Sequence, residues 1–264
     1  MKRTFLILFA YLLSGYAALS QTPVGSVFDE TRLKMRVKQL DEFVARFNCE
    51  KDVEGKSIKD KEDTAMRKRY VAGLFDRNLL VNDSIKRKFI AFAEKVVNPK
   101  APVYLRFADS DWTAEAICRA TFNGKQVQIS MFLKTDRVRD DEYKWAIVSA
   151  DGEMFNLTPK QQNPNIRISP VDNELGFMNM SDISSGENRR NVVHYSPQGY
   201  SPDRLTVFNT LVYNGLLKIN HVQKIVYRFE QVPGYVFTVE HFERATGNVG
   251  WLISKLIEIK NEKP

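Results

Sequence analysis

Residues 112–134 read WTAEAICRATF-NG-KQVQISMFLK. Two alternating runs flank Asn123-Gly124, the dipeptide that most readily takes the two positive φ angles of a type I′ turn. That turn pairs Phe122 with Lys125 and sets the ladder below it. Ala120 faces Val127, Cys118 faces Ile129, Ala116 faces Met131 and Ala114 faces Leu133. The other face pairs Thr121 with Gln126, Arg119 with Gln128, Ile117 with Ser130 and Glu115 with Phe132. The first set is apolar and the second mostly polar, so turn chemistry and register point to one antiparallel hairpin with one buried face.

Working outward, helices precede this hairpin and further strands follow it. Leu33, Val37, Leu40, Val44 and Phe47 recur at helical spacing and predict a helix over 29–48. A second helix runs from a cap at Asp63 or Thr64 to about Leu80, with Met66, Tyr70 and Leu74 inward. A third, capped by Asp83 or Ser84, runs over 85–97 and ends at Asn98-Pro99. Val103–Ala108 alternates like a strand, as do 143–150 and, across the turn Asp151-Gly152, 153–157. Residues 159–170, rich in proline and asparagine, form a linker, and Leu175–Met180 is a short strand candidate. The loop 181–200 has little periodicity, and loops of that length are often functional. Ser201-Pro202-Asp203 starts a further helix, with serine as cap and proline at the first position. Three long strands, 222–232, 235–245 and 249–259, close the chain.

The fold class expected is α+β, with curved antiparallel sheets and helices packed on one face. The organisation reads as a signal peptide (1–20), helices plus a meander (21–158), a linker and long loop (159–200), and a helix plus three-stranded meander (201–264). It leaves open one enlarged unit or two modules. Helix-then-meander order, the Asn123-Gly124 hairpin and the aromatic alternation of Tyr143-Lys144-Trp145 resemble the NTF2-like or cystatin-like superfold. That resemblance implies a ligand pocket between sheet and helices, and in some members a histidine that transfers protons.

The leader sets the address. Lys2-Arg3, an apolar run over Thr4–Leu13 and Ala18-Leu19-Ser20 before Gln21 have the form of a secretory signal. The apolar run is too short to span a bilayer, so no transmembrane segment is expected after cleavage, and the product is exported, periplasmic or extracellular. The style of the segment resembles secreted proteins of Bacteroidetes type. Cleavage takes two positive charges off a formal net charge of +7 over 264 residues. The remaining bases are interspersed with acids, as in KSIKDKEDTAMRKR over 56–69, which describes a solvated helix face and not a nucleic-acid stripe.

Chemistry is sparse. Cys49 and Cys118 are the cysteines, and the sequence leaves open whether they form a disulfide or stay as buried thiols; neither has a metal or redox spacing. His241, in a strand reading YVFTVEHFER, and His194, in the loop reading VVHYSPQGY, are the candidate catalytic groups. Each has a plainer alternative, a satisfied interior histidine and an exposed loop residue. His221 begins a strand after Asn220 and reads as turn chemistry. No zinc motif, phosphate-binding glycine loop, dinucleotide fingerprint or G-x-S-x-G occurs, so no metal or cofactor is called for. Asp109–Glu115 begins like a calcium loop but lacks the glycine and the closing glutamate. Tyr143, Trp145, Tyr227, Trp251 and Tyr195 are candidates for ligand binding, against core filling. The leading expectation is an exported, non-catalytic binding module for a small ligand, glycan or protein partner. The alternatives are an isomerase or hydrolase of the NTF2-like kind, pairing a pocket histidine with an acid, and a structural part of a cell-envelope assembly.

Overall fold

The computed structural model describes residues 40–52, 54–60, 63–139, 142–157, 163, 166, 179–186, 188–245 and 247–259. The leader, the first part of the 29–48 helix and nearly all of 159–178 lie outside the described residues. The fold is α+β. Among the described residues are the α-helices α1 (Leu40–Phe47), α2 (Thr64–Gly73), α3 (Asp83–Val96) and α4 (Arg204–Tyr213). The strands are β1 (Trp112–Phe122), β2 (Lys125–Arg139), β3 (Glu142–Asp151), β4 (Leu217–Phe229), β5 (Tyr235–Phe242) and β6 (Gly250–Glu258). They form one antiparallel sheet in the order β3-β2-β1-β4-β5-β6.

The hairpin that decides the fold has the expected register, from Phe122↔Lys125 to Ala114↔Leu133. Asn123 and Gly124 carry φ of 47° and 78°, as a type I′ turn demands. Leu216 accepts the Asn123 N–H at 3.0 Å, which fastens the hairpin tip to the start of β4. Strand β1 then pairs along its length with β4, through bulges at Ile117/Cys118 and Arg119/Ala120. Further bulges interrupt β2–β3 and β5–β6. Each inserts a residue and locally bends its strand.

Two core clusters sit on the same face of that sheet. At one end α1, α2 and α3 bury Phe47, Phe92, Trp112, Phe229, Phe237 and Ile253. Phe47 stacks on Phe237 with centroids 6.0 Å apart, and Phe92 meets the same ring edge-on at 5.4 Å. At the other end α4 lays Val207 and Phe208 over Cys118, Ala120, Ile129 and Leu217. Alanines at 114, 116 and 120 keep the middle of β1 low, so elements pack close to it.

Several elements depart from their sequence reading. Val103–Ala108 alternates but is no strand, because the Val103 N–H goes back to the Val96 carbonyl at 3.0 Å and side chains take most of the other backbone groups. Asn48 brackets Leu105, donating to its carbonyl at 3.0 Å and accepting its N–H at 2.9 Å. Arg67 donates to the Val103 carbonyl, Gln231 both accepts from and donates to Arg106, and the Trp112 indole N–H reaches Phe107. Residues 153–157 are not a strand either. Gly152 is extended, a Cβ there would lie 2.8 Å from the Met154 sulfur, and a 3₁₀ turn over Glu153–Phe155 drops Phe155 into the core. The helix starting at 64 stops at Gly73, short of Leu80, since Leu74–Asp76 is needed at the edge of β6.

The caps differ as well. Asp203, not Ser201, caps α4 by accepting the Thr206 N–H at 2.8 Å, and Asn82 caps α3 through Ile85. The last three strands end earlier than expected, at Phe229, Phe242 and Glu258. The loop 181–200 holds 3₁₀ segments over Asn179–Ser184 and Asn188–Tyr195.

Candidate functional site

Strand β3 is where the sheet is least protected. Tyr143, Trp145 and Ile147 alternate along it and share the helix-bearing face. Register places them beside Arg137, Thr135 and Leu133 of β2. In the cores such positions are sealed, but here exposure reaches 44% for Tyr143, 45% for Trp145 and 36% for Ile147. Among the described residues the covered part of β3 is its far end: Ala150 is fully buried next to α4, where Arg204 pairs with Asp151. Val148, the extra residue of a bulge, and Val138 of β2 add exposed apolar surface.

The exposed strip is anchored from within. Trp112 meets Trp145 edge-on with centroids 5.1 Å apart, stacks on Phe229 at 5.6 Å and touches Tyr227 at 6.0 Å. Tyr227 in turn meets Trp251 at 5.1 Å, and Trp251 meets His241 edge-on at 5.4 Å. A continuous aromatic path thus crosses the helix-bearing face from the β3 edge to β6. Trp145 is its open end, whereas Tyr227 and Trp251 are core residues, 2% and 5% exposed. Trp112, the hub, is absent from the sequence-derived candidates. Its signal was faint, a lone tryptophan just before the alternation begins.

The two sheet edges are treated differently. At β6 the Ile253 N–H donates to Leu74 at 2.7 Å and its carbonyl accepts the Asp76 N–H at 3.1 Å. Around that bridge Arg244 pairs with Asp76 at 2.8 Å, Asn248 donates to the Phe75 carbonyl at 2.6 Å, and Asn248 accepts the Arg77 N–H at 3.1 Å. At β3, among the described residues, no backbone pairs with the strand on the side away from β2. Lys144, paired with Asp136 at 3.5 Å, is the main charge on its central stretch.

The other candidates lie apart from this strip. His194 and Tyr195 are half-buried on the 188–195 segment, where His194 Nδ1 accepts the Asn163 N–H at 3.2 Å. His241 is half-buried on the helix-bearing face against Trp251. Cys49 and Cys118 are both free and buried. Burial pushes the Cys118 thiol up to about 11 and raises Cys49 as well, so neither is a ready nucleophile. Burial, with Asp41 adding to it, pushes the Tyr227 hydroxyl up to about 12. Among the described residues no three of His, Cys, Asp and Glu gather in a group that could hold a metal, and no helix is long and apolar enough to cross a membrane. Two cavities among the described residues lie between helices instead of over the sheet, one of about 260 Å³ between α2 and α3 and one of about 410 Å³ between α1 and α2.

Comparison with known proteins assigns no relative: no family model matches the chain, and neither a curated protein nor a solved structure does.

Proposed function

We propose that this chain is an exported, non-catalytic binding module whose partner is a protein that docks on the β3 edge. One observation carries the reading: among the described residues an apolar strand edge is left open at β3 while the opposite edge, β6, is closed by Leu74–Asp76 and its polar staples. A long apolar edge is a template for another strand, and proteins normally cover or charge it. A partner strand added there makes main-chain hydrogen bonds, and the Tyr143, Trp145 and Ile147 side chains supply specificity on the helix-bearing face. Aromatic anchors of that kind dominate interface energetics.

Protein partners fit better than a small ligand or glycan because the surface is a ridge along an edge and not an enclosed pocket. The role of a component in a cell-envelope assembly is the specific form of this reading, and it rests on the signal-like leader. On the same footing we read the curved sheet with its helices as NTF2-like or cystatin-like, enlarged by β4–β6 and α4.

The test uses the purified mature chain with a photo-crosslinking amino acid at Val148, in extracts of its native envelope. One defined adduct should form. It should disappear when Trp145 and Ile147 are both changed to lysine, with the circular dichroism spectrum unchanged. The adduct partner, purified separately, should bind the wild-type chain and bind the double variant at least a hundredfold more weakly. Equal binding by the two chains would remove the β3 edge from the interface.

A further inference from the structure

We infer a second, independent site: the groove between α2 and α3 takes the hydrocarbon chain of a single-chain anionic amphiphile of the fatty-acid class. Its floor is the stacked pair Phe75 and Phe89, with centroids 4.1 Å apart, and Leu80 and Ile90 line it while remaining 37% and 52% exposed. Apolar walls that stay wet in the free protein gain from a ligand that dries them. A volume of about 260 Å³ exceeds the ~150 Å³ apolar cavity that holds a benzene-sized guest. An incoming helix, about 10 Å across, displaces more than that in a single turn of about 5.4 Å. One flexible alkyl chain fits that volume.

Charge identifies the head. Lys68 and Lys86 belong to the groove lining, and their ammonium groups are tied only to exposed acids, Glu94 at 2.9 Å and Asp83 at 3.2 Å. Exposed pairs of this kind hold weakly, so a bound carboxylate can share or replace those partners. The surroundings favour an anion: α2 carries Arg67, Lys68 and Arg69 with no acid, and α3 carries Lys86, Arg87, Lys88 and Lys95 against Asp83 and Glu94. Among the described residues the lining itself includes Lys68 and Lys86 and no acid.

The experiment titrates the full mature chain with monomeric octanoate, decanoate and dodecanoate, followed by calorimetry. Saturable one-to-one binding is expected, tightening up to about fourfold for each added methylene until the groove is full. Ala72→Trp, at an exposed position of the lining, should weaken dodecanoate at least tenfold by filling the groove. Ile90→Lys supplies the same test should that variant fold poorly. The double variant Lys68→Gln/Lys86→Gln should weaken dodecanoate about tenfold and leave dodecanol unchanged. Absence of saturable binding overturns the inference, as does affinity indifferent to chain length and to Ala72→Trp. So does a groove variant that leaves dodecanoate binding intact but alters association of the chain with itself or with another protein, for the groove is then a protein contact.

Discussion

Cys118 shows how a single residue is settled by its surroundings. Its position on the apolar face of β1 follows from the Asn123-Gly124 turn alone, and the side chain is fully buried there. Whether it bridges Cys49 was not legible, because that depends on where the end of α1 lies. The structure keeps both thiols free, with Cys49 closing α1 in a left-handed turn at φ 58°. Burial has a pH consequence. The folded pKa of Cys118 is raised to about 11 and that of Tyr227 to about 12, above ordinary values of 9.0 and 10.0. The folded state therefore favours the neutral forms. Their stabilisation is complete below pH 9 and is lost as pH rises towards 11 for the thiol and 12 for the phenol. A two-unit shift corresponds to about 2–3 kcal/mol. Urea unfolding should thus show a stability loss between pH 8 and pH 10.5, smaller by about 1–2 kcal/mol in Cys118→Ala. An identical loss in both chains would mean that the thiol does not contribute.

At the scale of elements, what could be read was what local rules decide. The β1–β2 hairpin is specified by its turn and by period-two patterning, and every pair came out in register. Helices α1 and α3 announce themselves by apolar spacing. Two of the failures share one cause, competition from distant groups for the same backbone. Val103–Ala108 has the alternation of a strand, yet Asn48, some 57 positions earlier, takes both hydrogen bonds of Leu105. Leu74–Asp76 has the pattern of a helix continuing, yet Ile253 claims it. For the candidate site the aromatic positions on β3 were readable, but their exposure was not. That depends on where α4 comes to rest, over Ala150 and not over Trp145. The hairpin itself can be tested. At Gly124, φ of 78° disfavours any residue with a Cβ, although nothing lies within 4 Å to clash. Gly124→Ala should therefore act through the backbone alone and destabilise by about 1–2 kcal/mol. Gly73→Ala, within α2 and without a positive φ, should be neutral or stabilising by up to about 1 kcal/mol. Equal effects at the two glycines would contradict the turn assignment.

For the molecule as a whole, the decisive contact is the long β1–β4 pairing from Trp112↔Phe229 to Phe122↔Leu217. It joins strands that lie on either side of residues 158–200 in sequence into a single sheet, and both core clusters rest on those two strands. Leu133 packs against both clusters, so loosening one exposes part of the other. This arrangement predicts a single cooperative transition, since α1–α3 and α4 each lose their platform when β1 and β4 part. Phe208 offers the sharpest probe. It is 4% exposed under α4 and meets Phe155 edge-on at 5.8 Å, at the end of the sheet away from the aromatic hub. Phe208→Ala should destabilise by about 3–5 kcal/mol. Its effect should be felt at the opposite end of the sheet: near-ultraviolet dichroism of Trp112 and Trp251 and thiol exposure of Cys118 should shift to the same lower urea midpoint. Thiol exposure moving alone, with the tryptophan signal left at its wild-type midpoint, would show that the α4 end melts as a separate unit and that the continuous sheet does not couple the two cores.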